Sequence, residues 1–186
     1  TLGSCATVAR EGLGGLDGKG SKLILGDKLN FDQTAQPRSL DSLSWSIPDV
    51  MIPDYTKPLD LGVILGYQHE SFSCVEMSKL FSTEYKVTQN IDRMGYRLSG
   101  SAIKSNLNGV ISEGIACGAI QIPADGQPIV LMKDRQTIGG YPKVGCLTAL
   151  GVGRLSQTGP GSVVRFHPID IAQAEAERML FNKISR

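Results

Sequence analysis

Three polar clusters in the chain combine functional side chains with glycines. They are Asp92-Arg93-Met94-Gly95-Tyr96-Arg97, then Ser112-Glu113-Gly114 followed by Gln121, and a longer stretch from Asp125-Gly126-Gln127-Pro128 to Asp134-Arg135-Gln136-Thr137-Ile138-Gly139-Gly140-Tyr141-Pro142-Lys143. An amide substrate presents an acceptor oxygen and often an N–H. A site for it therefore needs side-chain amides, guanidinium groups and backbone N–H donors, with few free carboxylates. The clusters hold that inventory. Charge growing on an amide oxygen could be stabilised by Arg93, Arg135 or Lys143, and the backbone of Gly139-Gly140 could add donors as an oxyanion hole does. Each cluster also has a plain structural reading. Gly139-Gly140 before Tyr141-Pro142 has the composition of a hairpin turn, Asp92 and Arg93 could form a surface ion pair, and Gln121 and Gln127 could satisfy strand-edge groups. His69 and His167 stand alone and read as core or surface residues, and no Ser-His-Asp order with a nucleophile elbow is visible.

The elements that must position these clusters read as short strands. Tyr96-Arg97-Leu98-Ser99-Gly100 and Ala119-Ile120-Gln121-Ile122-Pro123 alternate, Ile129-Val130-Leu131-Met132 is continuously apolar, and Val163-Val164-Arg165-Phe166 closes a strand-after-strand series over residues 85–166. Asp125-Gly126 and Gly139-Gly140 mark turns between them, and Leu61-Gly62-Val63-Ile64-Leu65-Gly66 is an earlier buried-strand candidate. Phe72, Val75, Met77, Leu80 and Phe81 recur at three- and four-residue spacings, predicting an amphipathic helix within residues 70–85. Asp170 with Gln173 three residues on predicts a capped terminal helix running to Ile184. Residues 31–57 are polar and rich in Ser, Asp and Pro, with one apolar cluster around Trp45, and read as a connector.

The glycine-rich run at residues 12–20 fails the tests for a phosphate loop. The following Lys22-Leu23-Ile24-Leu25 and Gly26-Asp27 read as strand and turn instead of the helix a dinucleotide fingerprint requires, and Leu13 and Gly20 break the P-loop spacing. A tight connection between strands is the expected role, with glycine relieving the restriction on positive φ. Nineteen Lys and Arg against eighteen Asp and Glu, without long runs, argue against nucleic acid or an anionic membrane as partner. The apolar stretches fall far short of the about 20 residues a spanning helix needs. Cys5, Cys74, Cys117 and Cys146 lie far apart, without a CxxC pair, and read as reduced thiols with no metal site. The chain opens at Thr1 without a leader pattern, which reads as a cut end.

The run from Ser112-Glu113-Gly114-Ile115 through Gly118-Ala119-Ile120-Gln121-Ile122-Pro123, Asp125-Gly126-Gln127-Pro128-Ile129-Val130-Leu131-Met132 and Asp134-Arg135-Gln136-Thr137 to Gly139-Gly140-Tyr141-Pro142-Lys143 resembles the signature of the C-type subunits of 5-oxoprolinase. That family is also called allophanate hydrolase subunit 2 and is similar to part of the biotin-dependent carboxyltransferase domain of urea carboxylase. Asp92-Arg93-Met94-Gly95-Tyr96-Arg97-Leu98-Ser99-Gly100 resembles its second signature, and Gly3-Ser4 with Gly12-Leu13-Gly14-Gly15-Leu16-Asp17-Gly18 and Gly26-Asp27 a third. Ile138 departs from an expected Thr, and Cys117 from a larger apolar residue or Pro.

The resemblance implies a mainly β, cyclophilin-like β-barrel with a short internal helix and a C-terminal helix. Residues 1–57 would be the end of a first cyclophilin-like half plus connector, and residues 58–186 a second half. It further implies a bacterial, cytoplasmic hydrolase subunit, active in complex with companion 5-oxoprolinase subunits of the A and B types, that opens the lactam of 5-oxoproline to glutamate with ATP supplied through the complex. The alternatives are a carboxyltransferase acting on urea-like amides with a biotin carboxyl carrier, or a non-enzymatic regulator that antagonises a kinase inhibitor. By motif position the expected catalytic residues are Arg93, Asp125, Arg135 and Lys143, the cations stabilising negative charge and Asp125 moving a proton. Tyr96, Gln121, Gln127, Gln136, Gly139, Gly140 and Tyr141 are the expected substrate-binding residues, Gln121 and Gln127 recognising the amide.

Overall fold

The computed structural model describes residues 11–29, 49, 52–107 and 110–184, and the chain divides into two compact units, Thr1–Ser46 and Ile47–Arg186. In the first unit the glycine-rich run forms a tight loop. Gly14 bridges to Lys19, and Gly12, Gly14, Gly15, Gly18 and Gly20 all take positive φ. A Cβ on Gly15 would lie 2.9 Å from the Ser21 carbonyl oxygen, so the loop closes only around glycine. The Asp17 carboxylate fills it, accepting from the backbone N–H of Lys19 at 2.9 Å and from the Ser21 hydroxyl at 2.5 Å. These bonds, the Ser21 hydroxyl first, hold its pKa below the ordinary carboxylate value. The strand expected at residues 22–25 does not form. The Asp27 carboxylate takes the Ile24 N–H at 2.8 Å, which a ladder would have needed, while the expected turn at Gly26-Asp27 is present.

The second unit is mainly β, with nine strands and three α-helices among its described residues. The strands are β1 (Leu59–Leu65), β2 (Tyr85–Ile91), β3 (Gly95–Ser99), β4 (Glu113–Gly114), β5 (Ala119–Gln121), β6 (Ile129–Leu131), β7 (Ile138–Gly139), β8 (Lys143–Leu147) and β9 (Val163–Pro168). The helices are α1 (Cys74–Ser82), α2 (Ala149–Leu155) and α3 (Ile171–Ile184). Seven strands close a barrel in the order β1-β8-β5-β6-β3-β2-β9, antiparallel throughout except where β9 meets β1 in parallel. Closure removes the open edges that would otherwise invite further pairing. Alternation decides what goes inside: Tyr85 and Val87 from β2, Tyr96 and Leu98 from β3, Val164 and Phe166 from β9, with Leu61, Val63, Val130 and Val144, form the core. The rings of Tyr85 and Phe166 sit 5.7 Å apart at a tilt.

The helix predicted within residues 70–85 is split. A single 3-10 turn at Tyr67–Ser71 precedes α1, whose first turn is capped by Ser73 Oγ accepting from the Glu76 N–H. Leu80 carries its buried face into the core, with Met77 and Phe81 beside it. Helix α2 interrupts the series of strands expected between 85 and 166. Two glycines in seven residues obscure its periodicity, yet Thr148 Oγ1 caps the Gly151 N–H at 3.1 Å and Leu155 is fully buried. Helix α3 begins as expected, with Asp170 Oδ1 accepting from the Gln173 N–H at 2.7 Å.

Both β5 and β6 are buried along their whole length, because a second layer covers them outside the barrel. The outward side chains Ala119, Ile129 and Leu131 form a smaller apolar cluster with Ile115, flanked by Cys146. Strands β4 and β7 pair with each other, Glu113 opposite Gly139 and Gly114 opposite Ile138, as a two-stranded sheet of their own. This outer layer creates the groove described next.

Candidate functional site: an amide-lined groove on the barrel wall

A groove of about 510 Å³ runs along the outer face of β3, β6 and β5. Gly95, Ile129, Leu131 and Gln121 floor it. One wall is the end of β2 and the turn after it, with Gln89, Asn90, Asp92 and Met94; the other carries Gln136 and Tyr141. Among the described residues the groove thus carries four side-chain amides, Gln121 on an otherwise apolar floor and Gln89, Asn90 and Gln136 on the walls, with one guanidinium, that of Arg97, and one carboxylate, that of Asp92. Asp92 is already engaged. Its Oδ1 accepts from the backbone N–H of Met94 at 2.8 Å and of Gly95 at 3.0 Å, closing the turn between β2 and β3. Gln121 is 1% exposed, and its Nε2 is buried with no hydrogen-bond partner among the described residues. A buried N–H left unpaired costs about 1–3 kcal/mol, so a further acceptor at this position would be stabilising. Gly139 lies directly over this amide: a Cβ there would come 3.2 Å from Gln121 Nε2 and 2.6 Å from the Ile115 side chain.

The residues singled out in the sequence divide by this geometry. Gln121, Gln136, Gly139 and Tyr141 come together at the groove. Gln127 lies elsewhere, its Oε1 accepting from the Gly100 N–H at 2.8 Å and its Nε2 donating to the Gly100 carbonyl at 3.2 Å. Asp125 Oδ1 accepts from the Gln127 N–H at 3.0 Å and shapes the turn between β5 and β6. Tyr96 points inward, its hydroxyl donating to the Ser156 carbonyl at 3.3 Å and its pKa raised by burial. Gly140 packs close to the backbone, where a Cβ would lie 2.8 Å from the Val110 carbonyl oxygen.

The three expected cations are all committed to protein partners. Arg93 pairs with Asp134 rather than Asp92, Nε to Oδ2 at 2.6 Å, on an exposed surface. Arg135 Nε donates to the Ile115 carbonyl at 3.0 Å. Lys143 Nζ meets Glu113 Oε1 at 2.7 Å and the Gly114 carbonyl at 3.0 Å. Glu113 also accepts from Gln68 Nε2 at 2.5 Å and from the Tyr67 hydroxyl, while Gln68 Oε1 accepts from the Lys143 N–H at 2.8 Å. This network ties β4 to β8 and to the 3-10 turn after β1, and through β4 it holds β7 and Gly139 in register.

The family described as "Carboxyltransferase domain, subdomain A and B" matches residues 1–168. The chain belongs to this carboxyltransferase family. The C-type 5-oxoprolinase subunit of Haemophilus influenzae is 33% identical over 175 residues, and that of Escherichia coli 29% over 178; each comparison covers 93% of this chain and 53% of the relative. The chain therefore spans about half the length of those relatives. Urea amidolyase of Saccharomyces cerevisiae is 29% identical over 185 residues, which is 90% of this chain and 10% of that protein. The crystal structure of Kluyveromyces lactis urea carboxylase superposes with a TM-score of 0.79 over 98% of this chain and 17% of that one, at 23% identity, a likeness of fold. The expected mainly β barrel with its added helices is thus observed, and its fold is shared with that urea carboxylase structure.

Several groove residues of this carboxyltransferase-family chain carry little signal in the sequence. Gln89 and Asn90 lie at the end of a strand whose outward face gives no motif, and Arg97 stands between the alternating Tyr96 and Leu98 with nothing to set it apart from Arg93. Glu113 and Gln68 meet only through folding, 45 residues apart. Cys74, Cys117 and Cys146 are free thiols, Cys146 with its pKa raised by burial; Cys5 lies outside the described residues. His69 Nδ1 contacts the Gly66 carbonyl at 2.8 Å and serves the local turn. No helix among the described residues is long and apolar enough to cross a membrane.

Proposed function

We propose that this chain is part of a subunit of an ATP-dependent 5-oxoprolinase, a hydrolase that opens the cyclic amide of 5-oxoproline to glutamate, and that the groove over β3, β6 and β5 holds the amide. The observation that carries the reading is the buried, unpartnered Nε2 of Gln121 at the floor of a groove rimmed by Gln89, Asn90, Gln136 and Tyr141. That donor set suits a lactam oxygen, while the neighbouring side-chain amides can accept from its N–H. Donors held in place before charge develops on the oxygen stabilise the transition state more than the ground state. The names of the two bacterial 5-oxoprolinase relatives support the same activity.

ATP in this reading enters through the complex. The glycine-rich loop of the first unit does not fit a phosphate, since Asp17 already occupies its donors and would repel a second anion. Companion subunits of the A and B types, a cytoplasmic setting in bacteria, and the division into the end of one cyclophilin-like half (1–57) and the whole of another (58–186) belong to the same proposal. A second reading rests on the family's description and on the urea amidolyase relative: carboxyl transfer to a urea-like amide from a biotin carboxyl carrier. The deciding experiment combines the chain with its companion subunits, ATP and 5-oxoproline. Release of glutamate supports the proposal. No glutamate, together with carboxylation of urea once the carboxylated biotin carrier is supplied, sinks it in favour of the second reading.

A further inference from the structure

We infer that Arg97 makes the groove selective for amides that carry a carboxylate, binding the acid group while Gln121 binds the amide. This rests on the reading of the groove as an amide site and adds which amides it takes. Arg97 on β3 pairs with Ile129 on β6, and Ile129 pairs with Gln121 on β5. Residues in register across neighbouring strands project from the same face, so all three point outward into the groove. Two inter-strand steps separate Arg97 from Gln121, about 10 Å between their Cα atoms. A lactam oxygen and a carboxylate on the same small ring lie about 5 Å apart by ordinary bond lengths, leaving a gap that the two side chains can close.

The charges around Arg97 leave it available. Among the described residues its guanidinium has neither an ion-pair nor a hydrogen-bond partner; only its backbone carbonyl is engaged, accepting from the Thr88 hydroxyl at 2.9 Å. Among the described residues the groove's one carboxylate, Asp92, is turned to the backbone of Met94 and Gly95, and the cations Arg93, Arg135 and Lys143 are bound to protein groups. Between Arg97 and Gln121 the floor is Ile129, an apolar surface that excludes water from a ligand lying over it. A guanidinium fork matches a carboxylate with two parallel hydrogen bonds, and a neutral amide such as urea offers it nothing equivalent.

The test is a calorimetric titration of the full 186-residue chain with 5-oxoproline and with 2-pyrrolidinone, the same lactam ring without its carboxylate. The unaltered chain is expected to prefer 5-oxoproline by about tenfold or more, the range of a charge-assisted pair. Arg97→Gln brings that ratio close to one, and Arg97→Lys, which keeps the charge but not the fork, leaves an intermediate ratio. Unchanged melting of both variants confirms that they fold; if Arg97→Gln melts early, the ratio in Arg97→Lys decides. Lactam binding in which the preference is absent, or survives in Arg97→Gln, overturns the role of Arg97 and leaves the amide site standing. Failure of the unaltered chain to bind either lactam overturns both.

Discussion

Replacing Gln121 by Met separates what this side chain does for the fold from what it does for a ligand. The two side chains have similar length and volume, and such swaps in a packed site cost less than about 1.5 kcal/mol. The substitution deletes an Nε2 that is buried without a partner, whose desolvation costs about 1–3 kcal/mol. The balance favours the variant by about 1 kcal/mol. For a chain of this size each kcal/mol moves Tm by about 2–4 °C, so a rise of that order is expected, with the urea m-value unchanged. Lactam binding should disappear in the same protein. Gln127→Met is the control: it loses both hydrogen bonds to Gly100 and should be less stable by about 1–3 kcal/mol. Loss of more than about 1 kcal/mol in Gln121→Met would show that the amide is satisfied within the free protein, and the argument that it waits for a ligand would fall.

Gly139→Ala should abolish lactam binding and cost about 1–3 kcal/mol in urea unfolding, because the new methyl would press on Ile115 and on Gln121 Nε2. Glu113→Gln should lower stability by about 1–3 kcal/mol, between the values for exposed and buried pairs, since Lys143 is 13% and Glu113 27% exposed. A linked fall in lactam affinity would report the slackening of β4 against β7. Asp134, held below its ordinary value of 3.8 by the Arg93 hydrogen bond, adds stability that is complete above that value and is lost as pH falls through the lower folded one. Asp134→Asn should therefore flatten the acid limb of stability against pH, and added salt should shrink the difference between the two proteins because the pair is exposed.

Much of the barrel was legible because alternation and burial are local properties. Tyr96 and Leu98 inward with Arg97 outward follows directly from period two, and the uninterrupted Ile129-Val130-Leu131 marks a strand covered on both faces. The same period argued for Arg97 over Tyr96 as a surface-facing group, a consequence that motif position alone obscured. Barrel closure was not legible, since β1 and β9 meet in parallel across about a hundred residues of chain. Helix α2 was hidden by Gly151 and Gly153, whose weak helix propensity is outweighed by the Thr148 cap and the burial of Leu155. At the groove, motif position named Gln121, Gln136 and Tyr141, which the fold brings together, but the neutralisation of Arg93 by Asp134 and of Lys143 by Glu113 depends on contacts 41 and 30 residues distant in sequence.

The central claim, that the groove over β3, β6 and β5 is the amide site, is tested most directly by a crystal structure of the chain grown with 5-oxoproline. The account predicts the lactam oxygen within about 3 Å of Gln121 Nε2 and the ring against Ile129. A ligand seated elsewhere, for example in the groove lined by His167, Arg154 and Phe181 beside α2 and α3, with Gln121 Nε2 still unpartnered, would contradict it.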